Sequence, residues 1–325
     1  MAFKDIQGQD LVVQFLKNSI KNNYLSHAYL FIGPKGVGKE TTALAFAQGL
    51  NCLEYDYLGD SCNKCISCRK FLGGNQPDIN IIKPSGLSIK IDQIRELKNK
   101  AFYKSYESKY KVIIIDDAHL LTDQASNSLL KILEEPPQNT IFILVTPEPQ
   151  QLLETINSRC QQVNFNYLSD EIVSLILREK YPEYEQGAVI SKFARGSVGE
   201  AIEMLNQGDV LENRDNILSF LNNLEDMSIE RLLAFAEKWD KDREGVKSFL
   251  EIAQIWFRDH LVWKVTGEEM LVINQDYLKQ IKTGKYTLDR INRILQILHS
   301  SSSALKYNVN PRLILEIMLL KIKKG

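Results

Sequence analysis

The 325-residue chain has no apolar run approaching the roughly 20 residues that a membrane-spanning helix requires. Its opening residues, Met1-Ala2-Phe3-Lys4-Asp5-Ile6-Gln7, lack the apolar core of an export signal. A soluble, cytoplasmic protein with no membrane partner is expected. Excess charge is equally lacking: 40 basic side chains stand against 41 acidic ones, a formal net charge of −1. That balance excludes a global basic field for nucleic acid, so any DNA contact has to be local or shared with partners. Cysteine is scarce, five in all, yet four of the five fall close together as Cys52, Cys62, Cys65 and Cys68.

In a chain with no export signal, such clustering favours a metal over disulfides. The spacing Cys62-x-x-Cys65-x-x-Cys68 turns three sulfurs inward and Cys52 closes the set, which suits tetrahedral Zn²⁺. Reduced structural thiols and an iron–sulfur cluster, whose ligand runs use the same spacers, are the alternatives. Four sulfurs leave no open position for a substrate, so the expected role is to brace an insertion.

What the chain does contain is a phosphate-binding loop, Gly33-Pro34-Lys35-Gly36-Val37-Gly38-Lys39-Glu40, between an apolar strand candidate, Ala28–Ile32, and a helix-like run beginning at Thr42. Gly33, Gly36 and Gly38 let backbone N–H groups converge on phosphate oxygens, and Lys39 supplies a point charge, so ATP or ADP is a possible ligand. Glu40 stands where a Ser or Thr hydroxyl ordinarily ligates Mg²⁺. The sequence keeps a nucleotide pocket and damages its catalytic end. A second run, Lys111 to Asp117, is an apolar strand ending in two acids: Asp116 is the candidate Mg²⁺ ligand and Asp117 holds the water-activating position, one methylene shorter than the usual Glu. Thr146, just past the strand candidate Ile141–Val145, is a further candidate for the pocket.

Residues 1–167 alternate buried-strand runs (Ala28–Ile32, Asp78–Ile82, Val112–Ile115, Ile141–Val145) with amphipathic segments, the pattern of an α/β domain with a parallel sheet. From residue 168 onward the pattern is helical. Phe249, Ile252, Ala253 and Trp256 recur at helical spacing, as do Ile291, Ile294, Leu295 and Leu298, and both stripes read as core. Weak breaks near Gly196 and Gly208 divide a small helical segment, 168–208, from a helical domain, 209–325.

The run Leu129-Leu130-Lys131-Ile132-Leu133-Glu134-Glu135-Pro136-Pro137 resembles the signature of bacterial clamp-loader subunits of the AAA+ family. His27–Phe31, Ile91-Asp92-Gln93-Ile94-Arg95, Ser158-Arg159-Cys160 and Asn308-Val309-Asn310-Pro311-Arg312 match as well, so the resemblance spans almost the whole chain. It implies an AAA+ α/β domain with a RecA-like parallel sheet and a Cys₄ zinc module at 52–68, a helical lid at 168–208 and an all-α collar at 209–325. It also implies a place in the DNA polymerase III holoenzyme. There a hetero-pentameric ring of gamma/tau-like ATPases and a delta-like subunit would put the sliding clamp on primer-template DNA. Three departures, Glu40, Asp117 and Gly199 in place of a lid-helix arginine, favour a ring subunit that does not hydrolyse ATP. Arg159 survives, and the resemblance makes it an arginine finger acting on a neighbour's site. The alternatives are a surface salt bridge for Arg159, an active gamma/tau-like motor in which Thr41 or Thr42 takes over the metal position, and a DNA-binding zinc ribbon. The ribbon is disfavoured because Lys64, Arg69 and Lys70 are offset by Glu54, Asp56 and Asp60.

Overall fold

A computed structural model describes residues 2–54, 59–103, 105–182, 187–206, 210–307 and 309–324. Of the positions singled out above, Met1, Asp56, Gly208 and Asn308 lie outside the described residues. The chain forms two compact units, Met1–Glu203 and Met204–Gly325.

The first unit is built on five parallel strands: β1 (Ala28–Ile32), β2 (Ile79–Ile82), β3 (Lys111–Ile115), β4 (Thr140–Thr146) and β5 (Gln161–Asn164). They lie in the order β2-β3-β4-β1-β5. Strands covered on both faces need apolar side chains at every position, and β3 and β4 are buried throughout. Alternation assigns the residues to the two faces. Tyr29 and Phe31 pack with Val12, Leu16 and Phe46 on one face, while Ala28 and Leu30 pack with Ile94, Leu129 and Phe142 on the other. The first face carries α1 (Asp10–Lys21) and α2 (Lys39–Leu50), with α3 (Ile66–Leu72) against α2; the second carries α4 (Ile91–Phe102), α5 (Asp123–Glu134) and α6 (Glu154–Asn157).

Four of the strands fall where the apolar runs predict. The fifth, β5, lies on the edge beside β1, and within it only Val163 is buried. An edge strand with one inward residue has no apolar run to announce it. After β5 come α7 (Asp170–Lys180), α8 (Gly187–Phe193) and α9 (Val198–Asn206).

The second unit is helical: α10 (Val210–Asn222), α11 (Ile229–Glu237), α12 (Arg243–Thr266), α13 (Leu278–Thr283), α14 (Leu288–Lys306) and α15 (Pro311–Lys324). Both predicted stripes enter its core, with Phe249, Ala253, Trp256, Ile291 and Leu298 fully buried. Helix α12 starts on the Asp242 carboxylate, which accepts from Gly245 N–H, and ends at Gly267 in the left-handed conformation. A buried polar network fixes its packing: Asp259 accepts from the backbone N–H groups of Ile273 and Asn274, and Arg214 donates to Asn274 and to both oxygens of Asp276.

His260 is buried against Trp256 and Tyr286, and that burial, opposed by the Asp259 charge, lowers its pKa to about 4. The unfolded chain therefore takes up a proton first as the pH falls, so the contribution is intact above about pH 6.5 and lost towards pH 4. Denaturant titrations should show up to about 3 kcal/mol of pH-dependent destabilisation across that window that His260→Leu removes. Equal pH slopes for the two proteins would refute it.

Candidate functional site

The glycine loop joins β1 to α2 at the carboxyl edge of the sheet, where open parallel sheets bind ligands. Gly36 and Gly38 have φ of 74° and 95°, left-handed conformations that turn successive N–H groups into an anion cradle. A cleft of about 600 Å³ opens there, lined by Gly36, Gly38, Lys39, Glu40, Thr41, Asp116 and Asp117, among others. Gly33 and Thr146 stand behind it. Gly33 N–H donates to the Thr146 carbonyl, a Cβ on Gly33 would lie 2.5 Å from the Phe165 carbonyl oxygen, and the Thr146 hydroxyl accepts from Glu148 N–H. Those two positions hold the loop to the sheet.

Lys39 is buried, and its ammonium donates to the carbonyls of Gly33 at 2.6 Å and Pro34 at 2.5 Å. Burial lowers its pKa to about 8, against the opposing charges of Asp116 and Asp117. The lysine is thus folded onto its own loop, from which it would have to turn to meet a phosphate. The Thr42 hydroxyl is buried, donates to the Gly38 carbonyl and is not among the residues that line the cleft. Thr41 does line the cleft.

The carboxylates carry a partner that no motif announces. Lys83, one residue past β2, lies 2.7 Å from Glu40 Oε1 and 3.8 Å from Asp116 Oδ2. Hydrogen bonding to Glu40 raises the Lys83 pKa, and burial with the neighbouring charges of Glu40 and Asp117 raises that of Asp116. Asp117 takes a left-handed conformation, φ 48°, with its N–H donating to Asp116 Oδ1. The Mg²⁺ ion that such loops use does not fit this donor set. An ammonium already sits between Asp116 and the Glu40 carboxylate that stands at the hydroxyl ligand's position.

The lid-helix position also has a steric meaning that the sequence reading missed. Gly199 N–H donates to the Gly36 carbonyl at 2.9 Å, and a Cβ on Gly199 would lie 2.7 Å from Gly36 Cα. Ser197 donates from its hydroxyl to the Lys35 carbonyl. Gly199 is therefore a contact glycine, where two backbones meet too closely for any side chain.

Arg159 is not among the residues lining the cleft. It follows α6, donates to the Thr155 carbonyl and lies 2.8 Å from Glu134, the last residue of α5. Its side chain is 36% exposed.

The four cysteines converge as expected, their sulfurs all within 4.8 Å of one another, and Cys62 and Cys68 are 4.0 Å apart. Tetrahedral zinc thiolates place sulfurs about 3.8 Å apart, so the set suits a structural metal such as zinc. Backbone N–H groups already point at the sulfurs: Cys62 donates to Cys52, Cys65 to Cys62, and Cys68 to Cys65. The adjoining Asp60 is buried and accepts from the N–H groups of Phe3 and Lys4, pinning the insertion to the amino-terminal segment. Lys70, one of the segment's three basic side chains, is paired with Glu107. Cys160 is buried separately, among Leu152 and Ile156.

Parallel sheet, glycine loop, cysteine cluster and helical second unit together form an AAA+-like architecture. Residues 8–169 match the family described as DNA polymerase III, delta subunit, and residues 208–324 its counterpart described as delta subunit, C terminal. The chain is 32% identical over 323 residues to DNA polymerase III subunit delta' of Bacillus subtilis (strain 168), covering 98% of this chain and 97% of that one. It is also 29% identical to DNA polymerase III subunit tau of the same organism over 98% of this chain and 61% of that longer protein. A gamma-subunit-related protein from Thermotoga maritima aligns over 95% of this chain and 98% of its own at 19% identity, with a TM-score of 0.46. The chain belongs to the delta-prime family of DNA polymerase III clamp-loader subunits. No described helix is long and apolar enough to cross a membrane.

Restoring an arginine at the lid position should damage the fold. Gly199→Arg forces α9 off the loop backbone, an overpacking cost of about 1–3 kcal/mol. Thermal melting should show the loss, and an unchanged midpoint would contradict the contact.

Proposed function

We propose that this delta-prime-like subunit is a largely non-hydrolysing ring member that supplies Arg159 to the nucleotide site of a neighbouring gamma/tau-like ATPase. The neighbour belongs to a hetero-pentameric ring that also contains a delta-like subunit and loads the sliding clamp on primer-template DNA. The observation that carries this reading is the position of Arg159: partly exposed, outside its own cleft, and held by a solvent-exposed ion pair with Glu134 and a bond to the Thr155 carbonyl. A guanidinium so placed is of no use in cis and is free to exchange Glu134 for a phosphate across an interface, since an exposed ion pair is worth under about 1 kcal/mol. The damaged cation chemistry of its own cleft fits the same division of labour. In this account the all-α second unit serves as the collar, α7 to α9 serve as the lid, and the Cys52–Cys62–Cys65–Cys68 cluster holds Zn²⁺ as a brace.

An arginine finger is worth about 10³ to 10⁵ at the site it completes, so Arg159→Ala should leave ring assembly intact while slowing clamp loading by about tenfold or more. Arg159→Lys should be impaired too, because lysine lacks the planar fork. Normal loading in reconstituted complexes would refute the assignment, and failure to assemble would make Arg159 structural.

The isolated chain should show negligible ATP turnover, and Glu40→Ser alone should not create it. Robust turnover lost on Lys39→Ala would favour a motor. Protein purified without added zinc should contain about one zinc per chain. Cys65→Ser should lose it and Cys160→Ser should keep it, and the reverse pattern would sink the site.

A further inference from the structure

We propose that the Lys83 ammonium is a built-in replacement for the divalent cation of the cleft, held between Glu40 and Asp116, and that it keeps Mg²⁺ out. The two carboxylates flank the place where a phosphate-loop protein holds its metal: one on the first turn of the helix after the loop, the other at the end of β3. With Asp117 beside them, three carboxylates share one small volume. Such a concentration of negative charge favours cations: Lys39 lies within electrostatic reach of Asp116 and Asp117, and Lys83 adds an ammonium between Glu40 and Asp116.

The backbone fixes the lysine where it is needed. Asp116 N–H donates to the Ile82 carbonyl at 2.9 Å, so the residue after β2 emerges directly beside Asp116. The Lys83 carbonyl in turn accepts from Gln93 Nε2 at 2.9 Å, and Gln93 Oε1 accepts from Lys90 N–H at the start of α4. Gln93, one of the residues of the Ile91–Arg95 run, is thus a positioning residue for Lys83. The side chain is 56% exposed, so its pairing with Glu40 contributes little to stability. Its effect is on occupancy: a second cation would have to enter against an ammonium within a few ångströms.

The inference concerns the chain's own cleft and stands apart from the role of Arg159, which can fail without touching it. The test uses Mn²⁺ as an electron-paramagnetic-resonance probe for the Mg²⁺ site, titrated into the full-length protein with its cysteine site zinc-loaded and without nucleotide. Wild type and Lys83→Arg should show no saturable site, whereas Lys83→Ala should acquire one, on the order of tenfold tighter or more. The added site should disappear in Lys83→Ala/Asp116→Asn. Lys83→Gln, which retains polarity, should behave like Lys83→Ala, and circular dichroism verifies that each variant is folded. Saturable binding by wild type that Asp116→Asn abolishes would overturn the proposal. So would a folded Lys83→Ala or Lys83→Gln protein that gains no site, because the lysine would then not be what excludes the ion.

Discussion

The contact on which the chemistry of the first unit turns is the ammonium of Lys83 between Glu40, at 2.7 Å, and Asp116, at 3.8 Å. A carboxylate on the first turn of a helix is favoured by the helix dipole, so Glu40 costs the fold nothing in isolation. Its difficulty is the company of Asp116 and Asp117, and parallel pairing of β2 with β3 solves it by delivering a lysine from the adjacent strand end. The chain's own side chain offsets part of the negative charge of the cleft, and a pocket that keeps its anion cradle has an ammonium where a metal would sit.

The loop is also restrained from the lid side. Gly36 and Gly199 meet backbone to backbone, Ser197 is bonded to the Lys35 carbonyl, and Gln9 donates from its side-chain amide to the Val37 and Asn166 carbonyls. Lys39, folded onto the Gly33 and Pro34 carbonyls, engages two more of the loop's acceptors. In a motor, the lid has to sense the terminal phosphate. Here the contact that joins α9 to the loop is made by two glycines, neither with a side chain to reach a phosphate.

Much of this was legible in the sequence because the signals were dense. The glycine loop, the strand ending in Asp116 and Asp117, and the cysteine spacing each carry their geometry in their residue types. The helical stripes through Trp256 and Ile291 worked for a similar reason, since burial alone decides them. Strand β5 escaped because an edge strand with only Val163 turned inward has no apolar run. Lys83 escaped because its role depends on which strand lies next to β3, a fact of topology that local pattern does not hold. Gly199 was read for the charge it lacks, whereas its position is decided by the 2.7 Å approach to Gly36 that its missing side chain permits.

If the subunit acts through a neighbour's site and not its own, disabling its own cleft has to be silent in the assembled machine. The direct measurement is the clamp-loading rate of a reconstituted ring in which this subunit alone carries Lys39→Ala together with Asp116→Asn. A rate equal to that of the unaltered ring is predicted, because neither residue takes part in a reaction. A collapse of loading in a ring that still assembles would place essential chemistry in this chain's own cleft and contradict the account.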